Sequence, residues 1–389
     1  MLSNSSIDHR FDYIITGAGC AGLSLLMHMI RSGGFSDKRI LLIDKDEKKA
    51  NDRTWCFWEE EPGFFEEIVH RQWTNLTFAS NHFSANLDIH PYVYKLIRGK
   101  DFYQFCFEEF RRQPNVTAVR LQVEKIFRDS RGCHVIAGGE KFTSSYVFNS
   151  IIFDKPRLKK NEYWLLQHFA GWLIQTETPV FTPSSATLMD FKTDQLYGTT
   201  FFYVLPFSAT TALVEYTIFS DQVLPPDVYN NALDSYIRAQ LQHQHFHIVE
   251  KEFGVIPMTN FSFPVGDGNI INIGTAGGQT KGSSGYTFKF IQKSSQAVVR
   301  ALTDNRHPAD YISKAERFSF YDSVLLNILY NKQLGGDYIF SELFKKNKAS
   351  NVLRFLDNET TLMQELRIIK SLPMRTFSRA AIDHVRLSI

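Results

Sequence analysis

Short apolar runs separated by glycines dominate the first part of the chain and predict buried strands that feed into helices. Phe11-Asp-Tyr-Ile-Ile-Thr leads directly into Gly17-Ala-Gly19-Cys-Ala-Gly22 and then into an apolar stretch at helical spacing, the order of a strand, a tight turn and a helix. A second run, Arg39-Ile-Leu-Leu-Ile-Asp44, predicts another buried strand ending in an acid about 20 residues past the glycines. In 101–112, Phe102, Phe105, Cys106 and Phe110 recur at helical spacing, with an acid first and arginines last, as a helix dipole favours. Strand-like runs follow around 116–127, 132–137 and 145–153, punctuated by Arg131-Gly132 and Gly138-Gly139, which predicts a meander returning to a parallel strand. Over 163–219 the runs are short and broken by Pro179, Pro183, Gly198 and Pro206, the pattern of an antiparallel sheet set beside the first. Residues 226–243 read as a helix and 249–258 as a returning strand. Residues 269–274 read as a strand ending in a second glycine cluster, Gly274-Thr-Ala-Gly277-Gly278 through Lys281-Gly282-Ser-Ser-Gly285, ahead of an amphipathic helix at 289–302.

From Asn331 onward, ten Lys/Arg and six Asp/Glu interleave with apolar positions such as Phe340, Leu343, Phe344, Leu353, Phe355, Leu356, Leu366, Ile368 and Ile369. These are amphipathic helices with a basic face, suited either to an anionic membrane surface or, more commonly, to a solvated face over a packed one.

The first junction carries chemistry. Gly17 suits the tight turn, Gly19 lets backbone approach a pyrophosphate, and Gly22 lets the helix pack close to the strand, so that the helix N-terminus faces phosphates. Asp44 stands where a ribose hydroxyl is expected, completing a Rossmann βαβ unit. The second cluster reads either as a plain turn or, taken with the first, as the loop for the ribityl chain and ring edge of a flavin dinucleotide.

Residues 13–30 carry no Asp, Glu, Lys or Arg and approach the length of a membrane span, but three clustered glycines suit such a helix poorly. Asp8, His9, Arg10 and Asp12 ahead of the run, with no small-residue cleavage site after it, argue against a signal peptide. A length of 389 residues allows two lobes or one elaborate domain. The net charge of +2 gives no basis for nucleic-acid binding. Cys20, Cys56, Cys106 and Cys133 lack C-x-x-C spacing, so neither a zinc site nor a disulfide framework is expected and a reducing cytoplasm fits. The 34 phenylalanines and 16 tyrosines suit an apolar ligand, a membrane-facing patch or an aromatic-rich core.

A longer series of motifs is more discriminating: Asn51-Asp-Arg53-Thr54-Trp55-Cys-Phe57-Trp58, Gln167-His-Phe-Ala-Gly171-Trp172, Met189-Asp190-Phe191, Leu205-Pro206-Phe207, Leu213-Val214-Glu215-Tyr216-Thr217, Gly254-Val-Ile-Pro257-Met258, and Gly274-Thr-Ala-Gly277-Gly278 through Ser284-Gly285-Tyr286. In this order they resemble the bacterial lycopene cyclases, flavoproteins with a fold of the p-hydroxybenzoate hydroxylase type. The resemblance runs nearly end to end; Phe340-Ser-Glu-Leu-Phe344 and Leu366-Arg367-Ile368 match the family's C-terminal helices more loosely.

The resemblance implies an α/β fold: a Rossmann-type FAD-binding domain in two parts, 1–160 and 256–304, an inserted antiparallel-sheet substrate domain at 161–255, and a C-terminal helical region at 305–389 associated with a membrane. It implies a redox-neutral isomerisation in which the linear ψ ends of lycopene and related linear carotenoids close into the β rings of γ- or β-carotene. Reduced FAD is required but not consumed, NAD(P)H is the expected electron donor, and the expected location is the cytoplasm, peripheral on the cytoplasmic membrane face. Glu215 is the expected acid. Strand alternation alone reads it as solvent-facing, opposite Val214 and Tyr216, whereas the motif turns it inward. Asp190 is expected as a second acid or a structural hydrogen-bonding residue. Gly17, Gly19, Gly22, Asp44, Arg53, Arg98, Gly274, Gly277, Gly278 and Gly285 are expected at the cofactor, and Trp172, Phe202 and Tyr203 along the substrate. Two departures stand out: Gly274-Thr275 replaces the Gly-Asp of many related hydroxylases, and Glu215-Tyr216 leaves one carboxylate where some cyclases have two adjacent. Alternative readings are an FAD-dependent hydroxylase, a prenyl-chain reductase, or a non-catalytic flavin-binding carrier of an apolar lipid.

Overall fold

The computed structural model describes residues 9–240, 245–312 and 316–388; Asp8 and the end of the helix expected at 226–243 lie outside them. Strand β1 (Arg10–Thr16) turns at Gly17 into helix α1 (Cys20–Ser32), and the chain returns as β2 (Ile40–Asp44), parallel to β1. Ile14, Ile15, Leu41 and Ile43 are fully buried because β1 has parallel neighbours on both sides and both faces of the sheet are covered. The uncharged 13–30 run is thus divided between a strand and a helix. No helix among the described residues is long and apolar enough to cross a membrane.

An excursion follows: β3 (Thr54–Glu59), β4 (Arg71–Trp73), β5 (Asn75–Ala79), β6 (Ser84–Asp88) and β7 (Val93–Arg98). Helix α2 (Gly99–Arg111) carries the chain back to β8 (Val116–Arg120), and β9 (Val123–Asp129), β10 (Gly132–Ala137) and β11 (Glu140–Asn149) form the expected meander, with β11 landing parallel to β1. The second lobe contains β12 (Trp164–Thr176), β13 (Ser185–Asp190), β14 (Thr199–Pro206), β15 (Thr211–Ser220), α3 (Pro226–Gln240) and β16 (Phe246–Thr259). Then β17 (Gly266–Asp267) and β18 (Ile270–Asn272) rejoin the first sheet, β18 lies parallel to β11, and α4 (Phe288–Thr303) packs on α1.

The first sheet has eight strands, with β17-β18-β11-β1-β2-β8 in order, β10 paired to β11 and β9 paired to β10. The second has seven, β16-β12-β15-β14-β13-β5-β6, and β3-β7-β4 form a small third sheet. The second sheet therefore draws β5 and β6 from 75–88, a segment placed with the nucleotide part in the sequence reading, and its β13–β5 pair is parallel. The cause is burial: Leu76, Phe78 and Leu87 of that hairpin join the core of Phe191, Phe201, Phe340 and Phe344. The last segment folds as α5 (Glu316–Tyr330), α6 (Gly336–Lys346), α7 (Ala349–Leu356), α8 (Leu362–Ser371) and α9 (Met374–Ser388). Helices α6 and α7 cover that shared core, while α9 docks on α5 through Ala380.

Candidate active site

The two glycine clusters meet. A Cβ on Gly274 would fall 2.7 Å from the Ala21 Cβ, so the second cluster rests on the first turn of α1. Gly17, at φ +94°, leaves no room for a Cβ, which would lie 2.2 Å from Ser150 Oγ, and a Cβ on Gly22 would lie 1.9 Å from the Gly17 carbonyl. Those two glycines are fixed by protein packing. Gly19 differs, because a Cβ there would meet nothing within 4 Å. It caps α1 beside the backbone N–H groups that a helix start leaves unpaired, and it opens onto a cavity of about 310 Å³.

Cys20, Ala21, Arg53, Gly274, Thr275 and Gly285 also line this cavity. Open space over Gly19, a helix N-terminus and a guanidinium fit the diphosphate of a dinucleotide. Along the same wall, Gln167 Oε1 and Ser284 Oγ are buried without a hydrogen-bond partner, polar atoms placed to meet a ring edge. Gly277 and Gly278 line a separate cavity behind the loop. Asp44 accepts from the Ala18 amide at 2.5 Å and the Asp46 amide at 2.7 Å, so it also braces the glycine turn. Arg98 lies outside the main cavity and grips Asp101 at 2.7 and 2.9 Å.

Opposite the glycines stands the inner face of the seven-stranded sheet. In a strand, alternate residues point to opposite faces. Gln167, Phe169 and Gly171 of β12 share the inner face with Glu215 of β15 and Tyr203 of β14. Gly171 pairs with Glu215 on one side and with Glu252 of β16 on the other. With no side chain between them, the two carboxyl groups face each other over the glycine; a Cβ at Gly171 would sit 3.0 Å from Glu252 Oε1. Thr217 Oγ1 donates to Glu215 Oε1 and Thr54 Oγ1 to Glu252 Oε2, each at 2.7 Å. Burial, then the neighbouring charge of Glu252, pushes Glu215 up to about 8. Burial chiefly, opposed by the Thr54 hydrogen bond, pushes Glu252 up to about 7. Tyr94, Tyr203 and Tyr286 also line the cavity, and burial drives all three hydroxyls above their ordinary range, so they remain neutral.

Like Arg98, Gly277 and Gly278, three further expected site residues lie elsewhere. Trp172 and Phe202 point to the outer face of the sheet, one residue out of phase with Gly171 and Tyr203, and pack under α3 rather than along the cavity. Phe202 stacks on Tyr236 at 3.8 Å and on Tyr216 at 4.7 Å. Asp190 also belongs to that side, where it accepts from Tyr236 at 2.8 Å and from the Lys192 amide at 2.9 Å, a structural role. Tyr216, at the position where some cyclases have a second acid, is turned away with them. The carboxyl beside Glu215 is instead that of Glu252, on β16, the next strand along the chain after α3. The readable signal was Gly171, a glycine in a strand interior, which marks close approach of neighbours.

A Rossmann-type sheet, an antiparallel sheet across the cavity and C-terminal helices define the mixed α/β fold of FAD-dependent hydroxylases. Two solved structures share it: a geranylgeranyl bacteriochlorophyll reductase-like protein from Thermoplasma acidophilum (TM-score 0.64, 12% identity, 95% of this chain and 98% of that one) and a probable FAD-dependent monooxygenase from Pseudomonas aeruginosa (TM-score 0.55, 16% identity, 83% and 98%). Within that fold the chain belongs to the lycopene cyclase family, whose model, lycopene cyclase protein, matches residues 12–382. It is 24% identical over 267 residues to a lycopene beta-cyclase from Pantoea ananas, a match covering 64% of this chain and 63% of the relative, less than two thirds of its length.

Proposed function

We propose that the protein is a lycopene β-cyclase that holds FAD across the two glycine clusters and uses Glu215 as its acid. The observation that carries this reading is a buried carboxyl group, facing a second carboxyl and pushed above the ordinary carboxyl range by burial, in the wall of the cavity that both glycine clusters line. Glu215 gives its proton to the terminal double bond of a ψ end. The tertiary cation is attacked by the next double bond, a six-membered ring closes, and a ring carbon returns one proton to the carboxylate. Hydrogens and electrons balance, so the step is an isomerisation. Reduced FAD, when bound, supplies an electron-rich ring whose negative potential favours the cation; NAD(P)H is the proposed donor that reduces it.

The chain's own contribution is placement and dryness. Phe169, Tyr203, Tyr286 and Phe288 offer aromatic faces to a cation and exclude water that would trap it as an alcohol. Neutral tyrosine hydroxyls add no competing base. Exposed Leu362, Met363 and Leu366 on α8 and Met374, Ile382 and Val385 on α9, interspersed with Arg367, Lys370, Arg375 and Arg379, support peripheral contact with an anionic membrane that holds the carotenoid.

The Glu215→Gln protein tests the reading. It is expected to bind FAD and lycopene as the wild type does and to lose cyclisation by about 1,000-fold, within the range for a proton-transfer group. Undiminished cyclisation would refute the acid role.

A further inference from the structure

We propose that Glu252 is the proton partner of Glu215: the two carboxyls share one proton over Gly171, and Glu252 passes protons between the cavity and a recess at the protein surface. This deepens the reading above and rests on Glu215 being the acid. Three observations carry it.

The pair is built so that a threonine holds one oxygen of each carboxyl and leaves the other to its partner. The threonine hydroxyls occupy Glu215 Oε1 and Glu252 Oε2, while Glu252 Oε1, positioned over Gly171, is buried without a hydrogen-bond partner. A buried acceptor left that way is costly unless a proton reaches it. The carboxyl across the glycine is the group that can bring one.

The two acids also open to different spaces. Glu215 lines the large cavity and Glu252 does not; Glu252 instead lines a recess of about 10 Å³ with Asn51, Thr54, Arg98, Glu250 and Lys251. That is room for about one water. The recess reaches the surface, since the Arg98 side chain that lines it is 33% exposed. Glu252 thus stands in the wall between the cavity and the surface recess.

The chemistry suits such a partner. Each ring closure takes a proton to one carbon and releases one from another, so a pair holding one proton and one charge can donate and accept without any further reactant. While the cation exists both carboxyls are ionised, which favours the cation; the returning proton restores the starting pair. The charged and titratable groups facing Glu252 are Asp52 and Cys56 from the β3 segment, Arg98 with its partner Asp101 from β7 and α2, Glu250 on its own strand, and Glu215, while Lys251 turns to the outer face over Trp172.

The test uses the full chain and two readouts. Infrared titration of the FAD-loaded protein without carotenoid follows the protonated carboxyl band. The Glu252→Gln change is expected to move loss of the Glu215 band to lower pH, because the Glu252 charge is what, after burial, holds that proton on. Cyclisation by the same variant should fall about 10-fold to 100-fold in kcat, with KM within about twofold and the alkaline limb displaced the same way. Glu252→Asp should restore part of it. Gly171→Ala keeps both charges but crowds Glu252 Oε1, and should shift the band in the same direction by less. An unmoved band and pH profile in a folded Glu252→Gln protein would overturn the proposal. A shifted band in a wild type that does not cyclise lycopene would keep the pair and sink the proposed function instead.

Discussion

The inner and outer faces of one sheet contain acids buried to the same degree and use them in opposite ways. Glu215 and Glu252 on the inner face are 9% and 8% exposed, and Asp190 on the outer face is 8% exposed. Asp190 is satisfied by a tyrosine hydroxyl and a backbone amide within a packed aromatic layer, where Phe202 and Tyr236 lie 3.8 Å apart. Glu215 faces a second carboxyl across a glycine, beside an open cavity. Burial alone therefore does not mark a reactive acid. What marks it is burial with a like charge and without a full set of donors, the combination that keeps a carboxyl protonated at neutral pH.

The largest expected contrast is in rate. Glu215→Gln should lower kcat by about 1,000-fold, whereas Asp190→Asn should leave kcat within about twofold. Steady-state turnover of both variants on lycopene in liposomes measures this. Next comes stability on the outer face. Tyr216→Glu places a carboxylate among Phe202, Tyr229 and Tyr236 and should cost about 3–5 kcal/mol in denaturant unfolding, with no gain in cyclisation. Greater activity in that variant would mean that the second acid belongs at 216 after all. Trp172→Ala should also cost about 3–5 kcal/mol and leave KM for lycopene unchanged.

A smaller contrast separates the glycines of the first turn. Gly22→Ala drives a Cβ to 1.9 Å from the Gly17 carbonyl and should lower thermal stability even without cofactor; Gly19→Val, set in open space, should fold normally yet bind FAD weakly. Flavin fluorescence titration with unfolding of the apoprotein separates the two. The smallest effect is on pH dependence. Glu215 and Glu252 are raised above the ordinary carboxyl range, so between about pH 4.3 and 8 these two groups bind more protons in the folded chain than in the unfolded one, and their contribution to stability falls as pH rises. Relative to wild type, Glu252→Gln should gain stability on going from pH 5 to pH 8, read from paired denaturant curves.

Much of this was legible in the residues. The strand, glycine and helix order around Gly17 and around Gly274 gave two junctions that converge, because apolar runs bounded by glycine leave little choice of local structure. The meander to β11 was legible for the same reason, since Gly132, Gly138 and Gly139 punctuate it. The reach of β5 and β6 into the second sheet was not, because strand partners distant in sequence are chosen by tertiary packing. Glu215 was readable only through its motif, as alternation suited a solvent-facing residue until the first lobe covered that face. The misplacement of Trp172 and Phe202 by one residue shows how period-two geometry sends neighbours in sequence to opposite sides. Glu252 required a register: only the pairing of Gly171 with both Glu215 and Glu252 brings it to the site.

The most direct measurement is the mass and absorption spectrum of the product after anaerobic incubation of the FAD-loaded protein with lycopene in liposomes and a reductant. An unchanged mass with a shifted spectrum, absent with Glu215→Gln, is the expected result. A gain of two hydrogens, a gain of oxygen when air is admitted, or an unaltered carotenoid would contradict the assignment of a redox-neutral cyclase.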